Sequence, residues 1–127
     1  SIHETLSLDM LKNVIVDAFE RTNKLAALEQ ITRFVFRYSL CNESESLTQR
    51  IRNDRKLATI RLQRFFNNAQ TAKLIRADLN PECVAIHTHT HIIGLFHHHL
   101  SSPPPGLSTE YVAKSLDLLF DGIKTKP

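Results

Sequence analysis

Apolar residues recur three and four positions apart along most of this 127-residue chain, and only three glycines interrupt them. That spacing is one face of an α-helix. A β-rich domain of this length needs more turn glycines than Gly94, Gly106 and Gly122 supply. The chain is therefore expected to be all-α, and its pattern divides into five helices. The first runs from about Leu8 to Thr22, with Ser7 as N-cap and Leu11, Val14, Ile15 and Ala18 as its apolar stripe. The second runs from about Lys24 to Leu40 and carries Leu28, Ile31, Phe34, Val35 and Tyr38 on one face. After the break at Cys41-Asn42-Glu43-Ser44, a third region covers roughly Glu45 to Ile75, with a bend expected near Asn53-Asp54. Ser46 and Gln49 there have capping-box spacing, and Ile51, Ala58, Leu62, Phe65 and Ala69 form the stripe.

The fourth helix has the clearest start. Asn80 suits the N-cap, Pro81 the first helical position, and Glu82 the positive end of the dipole. It is expected to end near Leu100, because Ser101-Ser102-Pro103-Pro104-Pro105-Gly106 cannot continue a helix. Ser108 caps a fifth helix with one stripe at Val112, Leu116, Leu119 and Ile123. A second face lies beside it at Tyr111, Ser115 and Leu118. A terminal helix that is apolar on two sides packs on its own core and on something else, and a second subunit fits.

With 42% hydrophobic residues the chain is long enough for one domain with a sizeable core, residues 1–127. No stretch is long and apolar enough for a membrane helix. The start has neither a signal-peptide pattern nor an initiator Met, so an origin inside a longer protein is expected. Cys41 and Cys83 form no tight motif and fit a reducing cytoplasm, with a single bridge as the alternative. The net charge of +3 is too mild to imply nucleic-acid binding. Half of the 16 basic residues nevertheless fall at Arg50, Arg52, Arg55, Lys56, Arg61, Arg64, Lys73 and Arg76, opposed only by Asp54. Read alone this is a phosphate-binding stripe; without an aromatic or glycine-rich module, a solvated helix face is the preferred reading.

The histidines are the loudest signal: His87-Thr88-His89-Thr90-His91, then His97-His98-His99. On a strand the first three would point one way and could share a zinc ion. On a helix His87 and His91 share a face and His89 points away, which leaves a two-histidine site lacking further ligands and the Glu of a metalloprotease helix. A helical metal-binding domain is the second functional reading. No nucleophile elbow, phosphate loop or dinucleotide fingerprint occurs, so neither an enzyme nor a cofactor is expected. A dimerisation module with a filled core is the third reading.

The segment Ala72-Lys73-Leu74-Ile75-Arg76-Ala77-Asp78-Leu79-Asn80-Pro81-Glu82-Cys83-Val84-Ala85 resembles a hallmark of TetR-family C-terminal domains. There a long helix ends near a Gly, and Leu-Arg-x-Asp-Leu-Asp-Pro-Glu opens the next. Ile92-Ile93-Gly94-Leu95-Phe96 fits the same pattern, and Leu8 to Ile15 is similar to the opening of the sensor domain in AcrR- and TtgR-type efflux repressors. Lys73 departs from the family's usual Gly, and Ile31, Val35 and Ile93 stand where that drug-binding subgroup has polar pocket residues.

The resemblance implies an antiparallel helical bundle that dimerises through its last two helices and binds a hydrophobic small-molecule effector. Operator DNA would be bound only by a helix-turn-helix domain absent from this chain. On that reading Ala85, His89, Ile92 and Phe96, with Ile93 alongside, face a pocket shared with Ile31, Phe34, Val35, Tyr38, Ala58, Leu62 and Phe65. Tyr38 and His89 are its polar anchors. The dimer interface takes His87, His91, Gly94 and His98 from the fourth helix, and Val112, Leu116 and Leu119 from the fifth.

Overall fold

The computed structural model describes residues 7–24, 45–102 and 106–126. Among them four helices occur: α1 (Leu8–Lys24), α2 (Glu45–Thr71), α3 (Pro81–Ser101) and α4 (Thr109–Ile123), joined by no strand. The second predicted helix, with Ile31, Phe34, Val35 and Tyr38, lies outside the described residues.

Local chemistry sets the helix starts. The Ser7 hydroxyl accepts from Met10 N at 3.0 Å, the Asn80 side chain from Glu82 N at 2.8 Å and Cys83 N at 3.3 Å, and Ser108 from Tyr111 N at 3.1 Å. Each satisfies an N–H that the first turn leaves orphaned. No break occurs near Asn53-Asp54. α2 runs on through that stretch, and Gln49, placed by spacing in a capping box, donates its amide to Asn53 at 3.1 Å.

The end of α2 is a Schellman turn. Leu74 N bonds Ala69 O at 2.8 Å and Lys73 N bonds Gln70 O at 3.0 Å, with Lys73 at φ 62°. That left-handed conformation favours glycine and costs a side-chain-bearing residue about 1 kcal/mol or more. Lys73 is exposed, so no packing offsets the cost. Lys73→Gly is therefore expected to raise unfolding free energy by up to about 1 kcal/mol. Urea titration checks this, and a destabilised variant would contradict it.

The two long helices α2 and α3 pack on each other, as do α1 and α4. Phe66, Ala69, Ala85, Val112 and Leu116 are fully buried where these pairs meet, together with Phe19. The α1 stripe differs from expectation: Ile15 and Phe19 point inward, whereas Val14 is 59% exposed and Ala18 lies outside. Two neighbouring faces of α1 are apolar, and the ring of Phe19 decides between them by stacking on Phe96 at 4.1 Å. Lys12 and Asp117 pair at 2.9 Å across α1 and α4. The chain end is tied down by Thr125 N to Leu74 O and Arg76 N to Ile123 O, both 3.0 Å.

Candidate functional site

The expected pocket residues on α2 and α3 lie inward but are not sealed. Ala58, Leu62, Phe65, His89, Ile92, Ile93 and Phe96 are all half-buried, and Ala85 is fully buried. Leu62, Phe65, Ile92 and Phe96 pack against the core cluster, and Phe65 meets Phe66 edge-on at 5.2 Å. In the same α3 row Thr88 is completely buried, and its hydroxyl meets no hydrogen-bond partner among the described residues. Such a group loses its hydration without compensation, at a cost of about 1–3 kcal/mol.

The expected dimer stripe divides. Val112 and Leu116 are completely buried in the chain's own core and Leu119 is 8% exposed, so these three are covered before any second copy arrives. A straight count of apolar positions on α4 selects its best-buried face, which the monomer needs for itself. What α4 leaves outside is Tyr111 at 53% and Leu118 at 80% exposure, with Ser115 between them. His91 Nε2 shares a 3.0 Å hydrogen bond with Ser115 Oγ, which joins this face to the α3 stripe of His87, His91, Gly94 and His98. Gly94 is exposed, and a Cβ there would meet nothing within 4 Å. Among the described residues, then, no helix uses the close approach that Gly94 allows. Gly94 and His98 line a surface depression of about 440 Å³ with His97, Ser101 and Ser102.

The histidines scatter. His87 and His98 are exposed, His89 and His91 half-buried, and His99 is buried at 4% exposure. Among the described residues no three His, Cys, Asp or Glu side chains gather as a metal site. His99 was not legible as a core residue in the run His97-His98-His99, because three adjacent identical residues carry no phase. Its Nδ1 accepts from Leu107 N at 2.9 Å, and its ring meets Phe19 edge-on at 5.5 Å. It thereby ties Leu107 to the core.

Burial lowers the pKa of His91 below its ordinary value, and the neighbouring His87 adds to the effect. His89 is lowered as well, by burial first and then by the Arg55 charge. As pH falls through about 6.5 the unfolded chain takes up these protons before the folded one does, so stability present above that pH is lost below it. The effect arises within a single chain and needs no second copy. Urea midpoints measured from about pH 7.5 to about pH 5 are expected to fall more for the unmodified chain than for a His89→Gln/His91→Gln variant. Equal slopes would contradict it.

No protein-family model, no curated protein and no solved structure matches the chain.

Proposed function

We propose that this chain is the effector-binding and dimerisation domain of a TetR-like transcriptional repressor. The observation that carries the reading is the division of labour within α3 and α4. Each turns one row into the core, and the two share a second, outward face made of Tyr111, Ser115, Leu118, His91 and Gly94. An 80% exposed leucine on α4, and on α3 a glycine whose Cβ position meets nothing among the described residues, leave room for a two-fold partner that packs helix against helix. The left-handed Lys73 adds support, since it occupies the position where the family's pattern has Gly.

The effector is an apolar molecule with a polar group. The half-buried row Leu62, Phe65, Ile92 and Phe96 supplies the apolar walls. His89, whose pKa is lowered by burial, and the Thr88 hydroxyl, which meets no partner among the described residues, supply polar contacts. By preferring one dimer geometry, such a ligand would shift the population of the intact repressor and move its DNA-reading helices off their half-site spacing.

A thermal-shift screen of hydrophobic aromatic compounds tests this. At a ligand concentration of about 100 times Kd, binding adds about 2.7 kcal/mol to the stability of the folded state. The expected result is a raised melting temperature that Phe96→Ala and Thr88→Val each diminish relative to their own ligand-free baselines. Shifts equal to those of the unmodified chain in both variants would place the ligand elsewhere.

A further inference from the structure

The basic residues singled out in the sequence become a surface once α2 is in place. Arg52, Lys56, Ile60 and Arg64 succeed one another at every fourth position of one unbroken helix, and Leu57, Arg50 and Arg61 lie farther round its solvent-facing half, up to about half a turn from Arg52. The five cations are all exposed, and none of them forms an ion pair among the described residues. The other basic residues of that stretch are engaged elsewhere or stand apart. Arg55 influences His89 on α3, Arg76 stands 3.3 Å from Asp78, and Lys73 lies beyond the helix end. Asp54 is the single acid between Arg50 and Arg76. The sequence pI is about 9.1.

The five cations are spread over the solvent-facing half of α2 with no ion-pair partner among the described residues, so a partner of opposite charge lying along that half would be attracted to it. The chemistry around them indicates what. Asn53, Asn67 and Asn68 are exposed, while Leu57 and Ile60 are only 46% and 43% exposed. A lipid surface would find little apolar area to take in. A phosphodiester backbone would find arginine forks that grip phosphate oxygens in pairs and amides that bond sugar and phosphate. From Arg50 to Arg64 the helix rises about 21 Å, close to six base-pair steps at about 3.4 Å each.

We infer that the outward face of α2 is a nucleic-acid contact, on which Arg50, Arg52, Lys56, Arg61 and Arg64 engage the phosphate backbone of a duplex without reading its sequence. The contact is separate from the proposed dimer face and from the effector pocket, and it stands without either.

Titration of a fluorescent mixed-sequence DNA duplex with the full chain at several salt concentrations tests it. Five phosphate contacts predict a log K against log salt slope of about −4.5, which weakens binding about 500-fold between about 50 and about 200 mM salt. Arg61→Gln/Arg64→Gln is expected to reduce the slope by about 2. Lys114→Gln/Lys124→Gln removes the same net charge from residues already paired with Glu110 and Asp121, and is expected to leave the slope unchanged. Three results would overturn the inference. One is no binding at about 50 mM salt, which leaves a solvated face. Another is equal weakening in the two double variants, which makes net charge alone responsible. The third is tighter binding to vesicles of about 3:7 phosphatidylserine and phosphatidylcholine than to the duplex, which makes the partner a membrane.

Discussion

Gly106→Ala is expected to lower the unfolding free energy by about 3 kcal/mol. Two costs add. Gly106 sits at φ 75°, where any residue with a Cβ is strained by about 1–2 kcal/mol. The new Cβ would also come to 2.5 Å from His99 Cε1, closer still to Nδ1, and 3.0 Å from the His99 carbonyl. The ring cannot simply swing away. It is buried, it accepts from Leu107 N at 2.9 Å, and it lies edge-on to Phe19. Moving it leaves the part-buried Leu107 N–H without its partner, at about 1–3 kcal/mol. Urea unfolding of the variant measures the sum, and His99→Ala in the same background should recover the part due to the clash. A change below about 0.5 kcal/mol, the range of ordinary surface substitutions, would show that the loop gives way without cost.

Leu118→Glu is expected to dissociate the proposed dimer while leaving the fold of each chain intact. Leu118 is 80% exposed, so within one chain the change is an ordinary surface substitution, worth less than about 0.5 kcal/mol. In a two-fold interface it occurs twice. Each copy loses a buried leucine and brings in a carboxylate that faces the partner's apolar surface. At about 2 kcal/mol per central position, the pair costs about 4 kcal/mol, or roughly 1000-fold in the dissociation constant. Sedimentation measures that constant, and urea unfolding of the dissociated chain checks that the fold is kept. An unchanged constant would move the interface off this face of α4.

What could be read in the sequence was whatever is decided within a few residues. Ser7, Asn80 and Ser108 cap their helices because capping needs only the residue and the turn after it. Pro81 at the start of α3 likewise acts locally. The inward row of α3 was legible in part. Ala85 is buried and His89, Ile92 and Phe96 are half-buried, but Thr88 and His99, polar residues that periodicity passes over, are buried as well. Phe19 was missed because its partner Phe96 is distant in sequence. Val112, Leu116 and Leu119 were assigned to a partner although the chain's own core takes them. Periodicity shows that a helix has two apolar faces; it does not say which one the monomer fills first. Arginines on α2 could be counted in the sequence, but their freedom from ion pairs is a tertiary fact.

The account turns on whether the outward face of α3 and α4 is covered by a second copy. Sedimentation velocity of the unmodified chain at micromolar concentration tests that directly. The account predicts a species of twice the 14.5 kDa chain mass, which Leu118→Glu converts to the single-chain mass. An unmodified chain that sediments as a 14.5 kDa monomer throughout the micromolar range would contradict it.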